Sequence, residues 1–326
     1  MDSLADSIRR VEEASQLANA SLPPIPGRLL LVDGDGLAYS CAGSDDTDPG
    51  QARINVLQKV EAAMRASRSE RACILLTMPG SIKGHRYAVA RLKPYQGQRS
   101  SGRRPKNWQY LRNLLENAKL PYPVVRTYTA EADDLFGRAG AAQGWDNVVI
   151  LTEDKDMQMV PGHHLSWRDF NYTWVPPDAW AIESHGKVFG RKWFWLQMLH
   201  GDTADNIPGL PGFFNEKGVA KPVGPKTAEK FLADCSDEFI ARATVWGLYC
   251  NFFPTRDEAA VAFCEQAVLL WMRRDKDSSW MDVFRSGHPL EGWMTDPAVQ
   301  VLTQRVAAAD AFNGETKTTC PPCPND

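Results

Sequence analysis

Short apolar runs separated by amphipathic stretches mark the first half of the chain. RLLLVD (28–33) and NVVILT (147–152) show no polar alternation, as strands buried on both faces of a sheet do. ACILLT (72–77), VVRT (124–127) and HLSW (164–167) complete a set of five predicted strands. The stretches between them carry helical spacing. TAEADDLFGRAGAA predicts a helix capped by Thr129, which puts Glu131 and Asp134 on one face near its start. NWQYLRNLLEN predicts another that ends near Asn117. Strand-then-helix alternation of this kind implies an α/β fold with a central, mostly parallel sheet flanked by helices.

From Lys192 onward strand signals fade, and WFWLQML, KTAEKFLADC, DEFIARATVWGLYCNFF and EAAVAFCEQAVLLWMRR read as helices. The expected organisation is a helical N-terminal extension (1–26) closed by SLPPIPG, an α/β domain (27–190), a helical region (191–285) and a C-terminal extension (286–326). The last of these ends in a tail expected to be disordered from about Asn313.

The composition fits a globular protein of 326 residues, 43% apolar and 24% charged. No run approaches the length needed to cross a bilayer, and the first twenty residues mix both charge signs without an apolar core. The expectation is a cytoplasmic protein with no membrane partner, in the host cytoplasm if a phage encodes it. Seven cysteines in mostly apolar contexts fit reduced thiols, and the Cys320/Cys323 pair, in a Pro-rich tail without a second pair, reads as incidental.

The formal net charge of −3 conceals a segregation. Between Arg71 and Leu115 there is no Asp or Glu, yet ten cations, among them Arg86, Arg91, Lys93, Arg99, Arg103, Arg104 and Lys106, fall inside. Such a stretch suits a polyanion, because it neutralises phosphates and releases their counterions. Its Gly/Ser/Pro content around Arg99, Arg103, Arg104 and Lys106 predicts a mobile loop that orders on DNA, with Arg86 a further contact.

The acids are bunched as Asp33/Asp35, Glu131/Asp133/Asp134, Glu153/Asp154/Asp156 and Asp202/Asp205. Two of these groups end predicted parallel strands, where ligands of α/β sheets gather. Any one group has a structural explanation as a helix cap. Together in one cleft they would repel one another unless a cation lay between them, and hard Mg²⁺ or Mn²⁺ prefers such oxygen ligands. Six histidines without metal-ligand spacing argue against zinc. A pair of such ions is the arrangement that clamps the attacking and leaving oxygens of a phosphodiester. Further on, GVAKPVGPKTAEKFL joins a Gly/Pro loop to a helix starting near Lys226, where loop amides and the helix terminus can hold a backbone phosphate through Gly224, Lys226 and Thr227.

In order and spacing, LLVDGDG, YTAEADDL, ILTEDKD and GDTADNIPG followed by GPKTAEKFL resemble the 5′-to-3′ exonuclease and flap endonuclease family, over residues 29–231. Phage exonucleases and the N-terminal nuclease domain of bacterial DNA polymerase I belong to it. The resemblance implies a PIN-like nuclease fold followed by a helix–three-turn–helix, and hydrolysis of duplex DNA from a 5′ end, flap or RNA primer, an RNA–DNA hybrid included, in phage or bacterial replication. It implies two divalent ions, Asp33, Glu131, Asp133 and Asp134 matching the first ligand cluster and Asp154, Asp156, Asp202 and Asp205 the second. It also implies a K⁺ ion in the helix–three-turn–helix. Protein partners are not indicated. Two departures stand out. Thr77 occupies the place of a usual second-strand aspartate, a ligand then either missing or supplied by Asp35, and Gln96 replaces the lysine of a Tyr-Lys-x-x-Arg motif. Arg91 or Lys93, with Arg99, would then supply the catalytic cation.

Two other readings are open on the residues. An aspartyl-phosphate phosphatase also begins with a strand and Asp-x-Asp-Gly, although Leu37 stands where it wants Thr or Val and the later acids would have no role. A catalytically weak, structure-specific DNA-binding protein would explain the departures but not the retained acids.

Overall fold

The structure, a computed structural model, describes residues 22–98, 103–275 and 279–318, the last six by backbone alone. The chain divides into two compact units.

The first unit gathers three chain segments, through Ser81, from Ser100 to Trp193, and from Met272 to Ser278. It is built on strands β1 (Ile25–Asp33), β2 (Ser69–Thr77), β3 (Val124–Thr127), β4 (Val148–Leu151), β5 (Gly162–Leu165) and β6 (Tyr172–Val175). They form one sheet in the order β3-β2-β1-β4-β5-β6, parallel throughout except for β6. Helices α1 (Gly34–Ser40), α2 (Pro49–Ser67), α3 (Trp108–Glu116) and α4 (Ala132–Gln143) fill the crossovers. Leu30, Val32, Ile74, Leu76, Val149 and Leu151 pack with Leu37, Val56, Val60 and Leu111 in one buried cluster, which is why these strands read as unbroken apolar runs.

β1 pairs with β2 on one side and β4 on the other, so the strand order reverses between β1 and β4. That reversal opens a crevice at the carboxyl ends of the two strands. Asp33 ends β1 there, and Asp154 follows three residues after the end of β4. Between Asp33 and Asp35, Gly34 meets the neighbouring strand so closely that a Cβ would lie 2.7 Å from Leu75 O. A side chain there would push β1 and β2 apart.

Several sequence expectations need correction. β1 starts at Ile25 and pairs with Ser69, so the strand begins inside the expected N-terminal extension, whose residues 1–21 lie outside the described residues. β5 lies two residues earlier than 164–167, and β6 was not anticipated, nor was the hairpin β7 (Ile182–Ser184) to β8 (Lys187–Phe189). Helix α4 is capped by Glu131, not Thr129.

The second unit holds Ile82–Arg99, Phe194–Trp271 and the chain from Ser279. Its helices are α5 (Arg191–His200), α6 (Pro225–Phe231), α7 (Glu238–Phe252), α8 (Arg256–Leu270) and α9 (Pro297–Thr318), with a two-residue hairpin of β9 (Phe213–Phe214) and β10 (Ala220–Lys221). Trp195, Trp271, Tyr249, Phe194 and Phe263 are among its fully buried side chains. α9 continues five residues past Asn313, and Cys320 and Cys323 lie outside the described residues. None of the five described cysteines forms a disulfide. No helix among the described residues is long and apolar enough to cross a membrane.

Candidate active site

Asp33 ends a strand and caps the helix that follows, its Oδ1 accepting the Gly36 amide at 2.9 Å. Its Oδ2 accepts the Thr152 hydroxyl at 3.1 Å, and Thr152 Oγ1 in turn accepts the Asp154 amide at 3.0 Å. One threonine thus ties the ends of β1 and β4. Asp154 also accepts the Asp156 amide at 2.8 Å, fixing the tight turn of residues 155–159 in which Asp156 is buried.

The third acid group sits at the start of α4. Glu131 and Asp134 form a reciprocal capping box, Asp134 Oδ2 accepting the Glu131 amide at 3.2 Å. Thr77, at the end of β2, accepts the Ala132 amide on its hydroxyl at 2.8 Å, so the residue that replaces a familiar aspartate anchors this helix to the sheet. Asp134 is fully buried, and Arg273 faces it with its amide at 3.4 Å and its Nε at 3.8 Å. Asp134, expected as a metal ligand, is engaged in the capping box and faces Arg273. Asp133, next in line, keeps company with the other acids.

Burial pushes the Asp33 carboxyl from 3.8 up to about 6, and the charges of Asp35 and Asp154 push the same way, partly offset by the Gly36 amide and Thr152. Burial also drives Asp133 well above the usual carboxylate range, reinforced by Asp154, Asp33, Glu131 and Asp35. Asp33, Glu131, Asp133 and Asp154 therefore crowd one another electrostatically. An all-oxygen donor set under this mutual repulsion fits a hard divalent cation.

Asp35 is held differently. Arg112, only 7% exposed, pairs with Asp35 through Nη1, with Glu116 through Nε at 2.7 Å, and with the Thr77 carbonyl through Nη2. Composition could not distinguish this internal counterion from the DNA-facing cations of the same basic run. Of those, Arg103 reaches Asp45 at 2.5 Å, Lys106 donates to the Asp45 carbonyl at 2.9 Å and Arg104 stacks 4.1 Å from the centre of Trp108, all three exposed. Arg99 lies outside the described residues. His163 and His164 are both pushed down to about 4, chiefly by burial, and stay neutral.

In the second unit, Asp202 is 3% exposed and accepts the Ala204 amide at 2.8 Å, while an isolated bridge joins it to Ile207. Asp205 accepts the Tyr95 hydroxyl at 2.7 Å and the Gln96 carboxamide at 3.1 Å. Gln96 Oε1 takes the Lys83 ammonium at 2.5 Å. The cation beside Gln96 is therefore Lys83, not Lys93, which is exposed, nor Arg91, whose guanidinium donates to the Ala90 carbonyl. Arg86, expected against DNA, is a core residue at 0% exposure, and its guanidinium donates to the carbonyls of Leu269 and Trp271. Gly224 caps α6, Pro225 opens it, Lys226 is exposed and Thr227 half-buried.

No profile of a known protein family matches the chain. It is 26% identical over 230 residues to DNA polymerase I of Deinococcus radiodurans, covering 67% of this chain and 22% of the polymerase. It is 23% identical over 193 residues to the 5′-3′ exonuclease of Buchnera aphidicola, covering 56% of this chain and 65% of that one. The fold of the bacteriophage T5 D15 flap endonuclease, crystallised as a pseudo-enzyme–product complex with DNA and metal ions, superposes on 86% of this chain and 99% of its own, with a TM-score of 0.55 at 15% identity. In sequence the chain is similar to 5′-3′ exonucleases and to bacterial DNA polymerase I, and in fold to a flap endonuclease.

It spans about a fifth of the length of the polymerase. The α/β sheet followed by a helical region agrees with the fold that the family resemblance implied. Against the family pattern, the Thr77 and Gln96 departures each have a local counterpart. Arg112 neutralises the Asp35 that stands near Thr77, and Lys83 brings a cation to Gln96.

Proposed function

We propose that this chain is a member of the 5′-3′ exonuclease and flap endonuclease family, a metal-dependent nuclease that hydrolyses phosphodiesters of duplex DNA from a 5′ end or flap. The observation that carries the reading is the convergence of Asp33, Glu131, Asp133 and Asp154 at the switch point of the sheet, with Asp33 and Asp133 pushed up by burial and by neighbouring carboxylates. Keeping so much buried negative charge is costly unless cations use it. Asp33, Glu131, Asp133 and Asp154 would hold one Mg²⁺ or Mn²⁺ ion; a second, with Asp156, Asp202 and Asp205 among its ligands, rests on the match of acid blocks alone. Bound there, such ions supply Lewis-acid charge to the scissile phosphate and lower the pKa of the attacking water.

The chain's own groups prepare that chemistry. Thr152 and the Gly36 amide orient Asp33, the Arg112 guanidinium cancels the Asp35 charge, and Tyr95 with Gln96 fixes the Asp205 carboxylate. Lys83, the cation beside Gln96, is proposed to take the part of the lysine absent there. Arg103, Arg104 and Lys106 are proposed to contact the 5′ strand. Gly224, Lys226 and Thr227 are proposed to grip the uncut duplex, with the K⁺ site that the resemblance implies. RNA–DNA hybrids and a place in replication belong to the same reading.

The test is cleavage of 5′-labelled and 3′-labelled duplexes and of a flap substrate, each in Mg²⁺ and in EDTA, with p-nitrophenyl phosphate alongside. The expected result is Mg²⁺-dependent cutting of DNA from the 5′ side and none of the small ester. Asp133→Asn should lower turnover by orders of magnitude while DNA affinity holds or rises slightly. Normal cutting by that variant would end the assignment, and ester hydrolysis without DNA cutting would favour the phosphatase.

A further inference from the structure

Next to Asp154, wholly inside the first unit, lies a cavity of about 360 Å³ whose lining extends well beyond the carboxylates. Ile150, Leu165 and Phe189 give it apolar walls, and His164, Asn171 and Thr173 supply polar groups. Arg168, His185 and Lys187 bring cations or potential cations to the lining, and Glu153, Asp154 and Asp169 bring acids. Arg168 Nε already stands 3.9 Å from Glu153.

His164 tells most about what the cavity accepts. Its Nε2 lies 2.8 Å from the Val160 carbonyl, which can only accept, so Nε2 carries the hydrogen. The ring is neutral near pH 7, because burial pushes it down to about 4, and Nδ1 is therefore a bare acceptor. This side chain is 7% exposed, and no described residue donates to Nδ1. The Phe189 ring lies 5.1 Å from it. A flat ring with N–H donors on its edge matches a wall of this kind.

The hairpin that carries His185 and Lys187 is well defined. His185 and Gly186 both have positive φ, 50° and 71°, the two-residue turn that closes the β7–β8 hairpin in the twist its strands need. Ser184 bonds Thr173 side chain to side chain at 2.8 Å, and the Gly190 amide donates to the Gln158 carbonyl at 2.8 Å. The hairpin is thereby pinned near both ends, with Lys187 and His185 exposed at its tip.

We propose that this cavity is a nucleotide subsite. It takes one nucleoside 5′-monophosphate unit, the 5′-terminal nucleotide that the cut releases, with its 3′-oxygen on the Asp154 side, the base against Phe189 and His164 and its own 5′-phosphate toward Lys187, His185 and Arg168. The volume admits a single small ligand and no duplex, and the acids on the Asp154 side direct a phosphate to the hairpin side. The assignment rests on the nuclease reading above, since that activity releases such a unit.

Calorimetric titration of the full chain in Mg²⁺ with 5′-dAMP, deoxyadenosine or inorganic phosphate tests it. The expected result is saturable binding of 5′-dAMP with Kd below about 1 mM, and far weaker binding of phosphate. The double variant H185A/K187A should weaken 5′-dAMP at least fivefold and leave deoxyadenosine unchanged, whereas His164→Phe should weaken both. No saturation by about 10 mM 5′-dAMP, phosphate binding as tightly as the nucleotide, or indifference to both variants would overturn the subsite. Cleavage assays on the same preparations separate the two claims. A chain that cuts DNA but binds no 5′-dAMP loses the subsite alone, and one that binds 5′-dAMP as expected but cuts nothing keeps the subsite and loses the nuclease reading.

Discussion

Replacing Asp33 by Asn should make the metal-free protein more stable at alkaline pH while ending its cleavage of DNA. The Asp33 carboxyl is raised from 3.8 to about 6, so its folded-state pKa lies above its unfolded one. The stability it contributes in protonated form is complete below pH 3.8 and is lost as pH rises through about 6. At about 1.4 kcal/mol per unit, the ionised form costs about 3 kcal/mol at pH 8. Asn keeps an acceptor for the Gly36 amide but offers an amide where Thr152 found a carboxylate oxygen, a loss of about 1 kcal/mol. A net gain of about 2 kcal/mol corresponds to a Tm increase of about 4–8 °C in EDTA at pH 8. At pH 4.5 the gain should nearly vanish, because the wild-type carboxyl is then mostly protonated in the folded state. Thermal unfolding followed by circular dichroism in EDTA at both pH values measures this. Adding Mg²⁺ at pH 8 should raise the wild-type Tm, by mass action on the folded state, and raise that of the variant much less. Equal Tm values at pH 8, or the same gain at both pH values, would refute the reasoning.

Arg86→Met leaves the Leu269 and Trp271 carbonyls without their donor and should cost about 3 kcal/mol in a denaturant titration, with DNA affinity of the folded protein unchanged; lost affinity at full stability would return Arg86 to the DNA surface. Lys83→Met should lower single-turnover cleavage at least tenfold, and Lys93→Ala far less, so the reverse order would move the catalytic cation to Lys93. Lys226→Ala should weaken duplex binding evenly across sequences and reduce the salt slope by about one unit, with turnover at saturation largely kept. Loss of turnover with affinity intact would put the loop before α6 in the active site.

The strands that carry the acids were legible because a strand buried on both faces must be apolar along its length, and β1 and β4 are. Short edge strands such as β6, β7 and β8 lack that signature, having one face or both ends in solvent, and they escaped the sequence pattern. α4 begins two residues later than Thr129 suggested because its first turn is satisfied from elsewhere: the Thr77 hydroxyl takes the Ala132 amide from the end of another strand. Charge was the least legible property. Arg86, Arg112 and Arg103 look alike in a basic run, yet Arg86 serves two backbone carbonyls, Arg112 balances Asp35 and only Arg103 is exposed. The partners that decide this lie up to 185 residues away along the chain. Lys83 was overlooked for the same reason, since a replacement for the lysine lost at Gln96 was sought within a few residues of it.

The Arg273–Asp134 contact also bears on how the chain matures. The segment that carries Arg273 belongs to the first unit although it follows Trp193 by about 80 residues, and the Gly137 Cα faces the Arg273 carbonyl so closely that a Cβ would lie 2.1 Å from it. During synthesis at about 5–20 residues per second, the sheet can assemble for roughly 4–16 seconds before its last segment emerges. Over that interval α4 has an open groove along Gly137, where the Arg273 backbone later packs. The nascent unit is thus an incomplete body, and a fragment ending near residue 193 would remain in that state, with that groove still open.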